Sequence, residues 1–478
     1  MLNPLITICG TTGVGKSKLA IDLALSLARK SFGRHGWHGA RVINADAMQV
    51  YSGLDVITNK VTAAEMKGVE HLLMGFKQPG EQYVVGDWVE DSLKLIHETH
   101  ERNEIPIVVG GTSYWIQHLI FPNRLAKKSE APASGSDVAE WDPVLREAIL
   151  SLPEDLKVLF EQLPQDSPSA KKHPDMAFDL HKLLTLLDPA VGQRWHWKDT
   201  RKVLHSLEII KNAKRRASDI IAEQGMDPDA AKPRFRTLCF WLFAEPSVLG
   251  PRLDARVDQM VERGLLDEVR ELRHIADGAD ATPQHDYSLG IYQSIGYKEF
   301  HEYLSKPHDD KEFSIAVERM KLSTRQYAKK QISWIRNKLL PAVTHSNGDD
   351  ELVSFYLLDA AEVDERWTEM ALKPAVDITE RLLEEQELPE PKSLSPMAVK
   401  LLDVPEKTAD PVEILQARKK ITCTVCTTQP DRPFMIEEGA EWETHIRTKT
   451  HRRMAASLVR LQTNLHYRRA KQKDISLE

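Results

Sequence analysis

Leu5-Ile6-Thr7-Ile8-Cys9 runs into Gly10-Thr11-Thr12-Gly13-Val14-Gly15-Lys16-Ser17 and leaves through Lys18-Leu19-Ala20-Ile21-Asp22-Leu23-Ala24. An apolar run, a glycine turn and a helical exit read as strand, loop and helix. The turn fits G-x-x-x-x-G-K-S, whose glycines free backbone N–H groups to cradle phosphate oxygens. Lys16 then reaches the terminal phosphate, and the Ser17 hydroxyl can join Mg²⁺. Negative charge is also favoured at the helix N-terminus that follows. The loop leaves open which phosphorylated molecule it holds.

Outward from this loop, residues 1–121 read as the first part of a P-loop α/β core with a parallel sheet. Ala40-Arg41-Val42-Ile43-Asn44 is a short buried strand ending at Ala45-Asp46, and Glu104–Val109 is a third strand with a glycine turn at the same end. Ligands gather at the carboxyl ends of such strands, which puts Asp46 where chemistry is expected. Residues 122–197 change character, with amphipathic segments between Pro-rich turns, and read as a helical insertion. Residues 198–345 complete the core, with Arg236–Phe243 as its last strand and helices over 246–263, 265–276 and 312–338. Leu352–Leu358 suits a further strand, yet residues 346–417 as a whole read as an acidic, Pro-rich, partly disordered linker. Residues 418–478 form a small module with a basic tail.

At 478 residues the chain exceeds one compact core and should divide into two or three domains. No stretch approaches the roughly 20 apolar residues of a membrane span, so no membrane partner is expected. The first strand begins almost at Met1, leaving no room upstream for a cleaved signal in this form. A cytoplasmic protein is expected, with mitochondrial or nuclear forms left open, working as a monomer. Four cysteines, only two of them in a C-x-x-C pair, argue for a reducing compartment. The net charge of −7 hides an uneven distribution, because residues 349–391 carry 14 acidic against 3 basic side chains. The remaining chain is about +4 and its basic residues cluster at 198–216, 319–338 and 418–473.

Two constellations carry chemistry. In Asn44-Ala45-Asp46-Ala47-Met48-Gln49-Val50-Tyr51, a carboxylate and a carboxamide stand three residues apart beyond a strand. Asp46 could ligate Mg²⁺ or take a proton from a nucleophile, and Gln49 offers the donor–acceptor pair that reads an adenine edge. A helix N-cap at Asp46 is the alternative. The second constellation is Cys423-x₂-Cys426 followed by His445-x₅-His451, two thiolates and two imidazoles that suit a structural tetrahedral Zn²⁺. Arg418, Lys419, Lys420, Arg447, Lys449, Arg452, Arg453, Arg468, Arg469, Lys471 and Lys473 surround it, and the x₅ spacing with Trp442 resembles matrin-type fingers.

The loop Gly10–Ser17, the octet Asn44–Tyr51, Ile57–Lys60, Pro106–Thr112, Arg252–Asp258, Gln293–Glu299 and Thr324–Gln331 occur in the order found in tRNA dimethylallyltransferases. The chain resembles the eukaryotic, fungal-type members of that family from Ile6 to about Lys338, with the terminal finger besides. The resemblance implies transfer of a dimethylallyl group from dimethylallyl diphosphate to the exocyclic amine of the adenosine immediately after the tRNA anticodon. It implies Asp46 as general base, with Thr12 and Lys16 also catalytic, and Gly10, Thr11, Thr12, Gly13, Val14, Gly15, Lys16 and Ser17 around the diphosphate, Ser17 with Mg²⁺. Asp46, Ala47, Met48, Gln49 and Thr112 would meet the flipped base and tRNA.

Arg252 and Arg256, four apart on one helix face, are candidates for the diphosphate or for tRNA phosphates. The alternative is a solvated face on which Asp254 and Asp258 pair with them. Arg325 and Lys329, in the basic run Lys321–Lys338, suit a phosphate backbone. After Asp199 the family usually carries arginines at three and six residues on; here Lys202 and His205 stand there, with Arg201 adjacent, and lysine lacks the bidentate fork. The finger reads as a tRNA clamp held by the acidic linker, raising effective concentration. Two rival functions remain at this stage: a P-loop kinase of a small metabolite or nucleoside, and a nucleic-acid adaptor whose loop is a nucleotide switch.

Overall fold

The computed structural model of the chain describes residues 2–122, 141–165, 167–226, 232–279, 290–306, 309–346, 351–362, 364–404, 419–430 and 432–460. It divides into two compact units, Met1–Leu125 with Pro228–Glu406, and Ala126–Asp227 with Lys407–Glu478.

The first unit is built on six strands, β1 Pro4–Gly10, β2 Ala40–Asn44, β3 His71–Leu72, β4 Ile105–Val109, β5 Arg236–Phe243 and β6 Val353–Asp359, in the order β3-β2-β4-β1-β5-β6. Every pair in it is parallel, with Ile8 level with Val109 on one side and Phe240 on the other. A parallel sheet covered on both faces needs continuous apolar strands, and β1 and β4 are buried at every position. Alternation sends Leu5, Cys9 and Trp241 into one core and Ile6, Ile8 and Phe240 into the other. Helix α1, Lys16–Leu27, lies on the second face, with Leu19, Leu23 and Leu27 in that core. Helices α2 (Val85–Glu101), α3 (Ser113–Ile120), α4 (Pro246–Glu262) and α5 (Asp310–Trp334) complete the set used below. No helix among the described residues is long and apolar enough to cross a membrane.

The topology gathers three turns at the carboxyl ends of adjacent strands: the phosphate loop after β1, Asp46 after β2, and Gly110-Gly111-Thr112 after β4. The last two abut so closely that a Cβ on Gly110 would sit 2.1 Å from the Ala45 carbonyl oxygen. Only glycine lets these turns meet.

Three sequence expectations about boundaries are corrected. Arg236–Phe243 is not the last core strand: the further strand that Leu352–Leu358 suits forms as β6 and pairs with it from Thr237–Val353 to Phe243–Asp359. Much of the segment read as a disordered linker is therefore folded: Lys373–Leu383 is a helix whose Ala375, Ile378 and Leu382 join the α1 core. Its acidic residues have partners, Glu380 with Lys30 at 3.0 Å, Glu384 with the Gly33 N–H at 3.1 Å, and Glu385 with Arg34. Composition suggested disorder; pairing across some 350 residues of sequence supplies order instead. Residues 405–417 of that linker lie outside the described residues.

The third correction concerns the insertion, which does not end at residue 197. Helix Thr200–Ala213 presents Val203, Leu204, Leu207 and Ile210 to Leu180, Leu183, Leu184 and Leu187 of helix Pro174–Leu187, forming the second unit's own core. Fully buried Asp188 fastens it, accepting from the Val191 N–H at 3.2 Å and the Ser218 N–H at 2.7 Å.

The terminal module belongs to this second unit. Strands β7 (Lys420–Thr422) and β8 (Met435–Glu437) pair antiparallel and lead into helix Ala440–Ile446. Trp197 donates its indole N–H to the Pro433 carbonyl at 2.9 Å, and the Lys420 N–H donates to the Gln193 carbonyl at 2.6 Å. These bonds dock the module on the insertion; the tether expected from sequence falls on residues 405–418, outside the described residues.

Candidate active site

The phosphate loop, the Asp46 turn, α4 and α5 all belong to the first unit. In the phosphate loop, Gly13 and Gly15 stand at φ +81°, the left-handed region, which turns the backbone toward the N-terminus of α1. Thr11 Oγ1 is buried with no hydrogen-bond partner among the described residues, a polar atom of the loop that an anion's oxygens would satisfy. Lys16 Nζ donates to the Thr11 carbonyl at 2.7 Å, so the ammonium lies over its own loop. Burial pulls the Lys16 pKa from its usual 10.5 down to about 8, against the opposing attraction of Asp46; Arg256 adds to the lowering. Ser17 is the second residue of α1, directly after Lys16.

Asp46 begins a tight turn: its N–H donates to Asn44 Oδ1 at 3.1 Å, and its Oδ1 accepts from the Met48 N–H at 3.0 Å. The local Asx turn explains why a carboxylate sits there, and it leaves Oδ2 turned toward Gly111. Ala47 is fixed by donating its N–H to Thr112 Oγ1 at 3.1 Å, so Thr112 shapes this turn from the β4 side. Gln49 Nε2 donates to the Thr58 and Asn59 carbonyls at 3.2 and 3.1 Å. Its donor is thus committed and its oxygen is what remains for a base, so the two-pronged adenine contact expected from sequence is reduced to one prong.

The two arginines of α4 have different fates. Arg256 donates to Asn59 Oδ1 at 3.0 Å, and its pKa falls to about 10 through burial, partly offset by Asp46. A half-buried cation beside a carboxylate and beside Lys16 is suited to a polyanion. Arg252 instead donates to the Gly13 carbonyl at 3.3 Å, the Ala360 carbonyl at 3.0 Å and the Ala361 carbonyl. These bonds make it a strut between the phosphate loop and the end of β6, a structural role that the sequence reading as a diphosphate ligand did not include. Arg252→Ala should therefore cost about 2 kcal/mol in unfolding free energy by orphaning these carbonyls. Unchanged stability together with lost anion affinity would restore the sequence reading.

Asp254 and Asp258 do not pair with these arginines either. Asp254 binds Arg325 and Asp258 binds Lys321 at 2.8 Å, both across to α5. Arg325 is consequently a helix-to-helix tie, whereas Lys329, one turn further, is exposed. Tyr327, between them in sequence, is pushed to a higher pKa by burial and by the negative charge of Asp46, which puts its phenol at the site. Sequence reading treated α5 as a basic face with Tyr327 interleaved and gave neither Tyr327 nor Gln331 a place in the site; their i, i+4 spacing within the Thr324–Gln331 motif was the available signal.

Arg201, Lys202 and His205 lie on the exposed face of Thr200–Ala213 in the second unit. Lys202 pairs with Asp199 at 2.5 Å and lies 4.9 Å over the Trp195 ring, and His205 is 3.6 Å from Glu208. In the same unit, Cys423, Cys426, His445 and His451 bring one donor atom each within 4.8 Å of the others. His451 Nδ1 is 3.5 and 3.6 Å from the two sulfurs and 3.1 Å from His445 Nε2. Tetrahedral ligands at 2.0–2.3 Å from an ion would be about 3.3–3.8 Å apart, so the four residues could hold a metal ion. Phe434 stacks on His445 at 4.9 Å and Trp442 lies edge-on to His451 at 6.4 Å, fixing both rings. Lys419, Arg447, Lys449, Arg452 and Arg453 are exposed around it, while Arg418, Arg468, Arg469, Lys471 and Lys473 lie outside the described residues.

A profile of the IPP transferase family matches residues 49–338. A tRNA dimethylallyltransferase of Schizosaccharomyces pombe is 34% identical over 463 residues, 95% of each chain. One from Saccharomyces cerevisiae is 31% identical, covering 95% of this chain and 92% of its own. The crystal structure of a eukaryotic dimethylallyltransferase acting on tRNA aligns with a TM-score of 0.72 at 29% identity, over 98% of this chain and all of that one.

Proposed function

The chain belongs to the IPP transferase family, and from that membership we propose that it transfers a dimethylallyl group from dimethylallyl diphosphate to tRNA, releasing diphosphate. The acceptor is the exocyclic amine of the adenosine immediately following the anticodon. The assignment of roles rests on charge placement: Lys16 and Arg256 are two half-buried cations, both lowered in pKa by partial desolvation, that face the Asp46 carboxylate. Cations of that kind suit a departing diphosphate, and a carboxylate facing them suits the nucleophile's proton.

In the step itself, the amine nitrogen forms a bond to the allylic carbon while the carbon–oxygen bond to diphosphate breaks, and the amine proton passes to Asp46 Oδ2. Charge grows on the leaving oxygens, where the loop N–H groups, Lys16 and Arg256 are already arranged and little solvent must reorganise. Gln49 offers its oxygen to the base, Thr112 holds the turn, and adenine reaches the pocket by leaving its stack. The Ser17 hydroxyl is the loop's own ligand for Mg²⁺, which when bound would neutralise part of the diphosphate charge. A kinase would need the same loop, but the relatives that share nearly the whole length of this chain are named for prenyl transfer.

Arg201, Lys202, His205, Lys329 and the basic residues of the terminal module are the proposed tRNA contacts, and Zn²⁺ is the metal proposed for Cys423, Cys426, His445 and His451. The docking of this module on the insertion supports one continuous RNA-binding unit. Purified protein should carry about one zinc per chain. Cys426→Ser should lose it and weaken tRNA binding by about tenfold with kcat at saturating tRNA nearly unchanged. Unaltered tRNA affinity would count against that role. Four unbridged cysteines support a reducing compartment, and we place the reaction in the cytoplasm, carried out by a single chain.

Nucleoside analysis of bulk tRNA from cells with and without the gene tests the function. The prenylated adenosine should vanish when the gene is absent; its persistence at full level would refute the proposal.

A further inference from the structure

The phosphate loop and the Asp46 turn come from different strands, and the reaction needs the donor carbon and the acceptor amine aligned within a fraction of an ångström. One buried side chain joins them. Gln331, 5% exposed on α5, accepts at Oε1 from the Thr12 N–H at 2.9 Å and donates from Nε2 to the Gly111 carbonyl at 3.0 Å. The two partners fix the orientation of the amide, since one is a donor and the other an acceptor. From Gly111 the connection continues without a gap: the next N–H, of Thr112, donates to the Ala45 carbonyl at 3.1 Å, and Thr112 Oγ1 accepts from the Ala47 N–H at 3.1 Å. Asp46 lies between those two residues. A Cβ on Gly111 would lie 2.6 Å from Gln331 Nε2, 3.2 Å from Asp46 Oδ2 and 3.7 Å from the Tyr327 hydroxyl, so the carboxamide and the carboxylate flank the same bare backbone.

We propose that Gln331 is a positioning residue for prenyl transfer, a bracket that sets the phosphate loop at a fixed distance from the Asp46 turn through Thr12 on one side and Gly111 on the other. Both of its bonds go to backbone groups that take no part in the step. Its two bonds are made by a neutral group inside the site, so they hold the geometry without adding charge beside Asp46 or the diphosphate. This inference rests on the proposed roles of the loop and Asp46.

A bracket has a kinetic signature that a packing residue lacks. Gln331→Met fills the same volume and loses both hydrogen bonds. It should lower kcat at least tenfold, while the dissociation constants for tRNA and dimethylallyl diphosphate and the thermal midpoint stay close to the parent's, because misplacement by about 1 Å costs alignment rather than binding. Gln331→Asn, polar but one methylene too short to span both partners, should show the same split and guards against poor folding of the first variant. A kcat within twofold of the parent in both variants would overturn the bracket. So would a rise in KM for dimethylallyl diphosphate at unchanged kcat, which marks a mere binding contact, or a rate loss that only tracks lost folded protein. The parent protein run alongside separates the two ideas: if it forms no prenylated adenosine the assigned reaction fails, whereas an active parent with equally fast variants sinks the bracket alone.

Discussion

Asp46→Ala should reduce the rate of prenyl transfer by roughly 10²–10⁴, the range spanned by loss of a general base, with tRNA affinity nearly unchanged. The expectation follows from how the turn is built. Asp46 Oδ1 is occupied by the Met48 N–H, so it organises the turn, and Oδ2 faces Gly111 at the site. Alanine removes both functions, and Asp46→Asn separates them: the amide oxygen can still accept from Met48, so the turn should persist, but the group cannot take a proton. Equal losses in the two variants locate the effect in proton transfer. Single-turnover rates with saturating tRNA and dimethylallyl diphosphate, paired with tRNA binding curves, provide the check; a residual rate within tenfold of the parent would remove Asp46 from the mechanism.

The second large effect is expected at Lys16. Lys16→Met keeps the length of the side chain and deletes the cation that meets the leaving group, which should lower kcat/KM by about 10²–10³. A pH dependence accompanies it. With the free-enzyme ammonium titrating near pH 8, diphosphate binds to the protonated form without penalty below that pH. Above it the complex must recover a proton that the free enzyme has lost, so affinity for dimethylallyl diphosphate should weaken by about tenfold per pH unit through the window between 8 and the higher pKa of the complex. Lys16→Met should abolish this limb and Lys16→Arg should move it out of range. A limb that survives in the methionine variant would assign it elsewhere.

Local patterns carried most of what was readable in the sequence. The loop after β1, the strands that became β2 and β4, and the four-residue Cys/His set all state their chemistry within short windows. They were found because glycine spacing and apolar runs are local signals. What stayed hidden depended on partners distant in sequence. Glu380, Glu384 and Glu385 look like a disordered acidic tract until Lys30, Gly33 and Arg34 meet them. Arg252 and Arg256 look equivalent on a helical wheel, yet one is spent on carbonyls of the loop and of Ala360 while the other enters the site. Arg325 looked available to RNA and is held by Asp254. Gln331 was read only as the last residue of the Thr324–Gln331 motif; its role comes from Thr12 and Gly111, more than 200 residues away.

The central claim is that this phosphate loop holds a prenyl diphosphate that departs, not an ATP whose phosphate is transferred. It is tested most directly by incubating purified protein with tRNA and isotopically labelled dimethylallyl diphosphate in the absence of ATP, then digesting the tRNA to nucleosides. The label should appear on one adenosine, next to the anticodon, with free diphosphate released in equal amount. Transfer that requires ATP, or a product that carries phosphate without the five-carbon group, would contradict it.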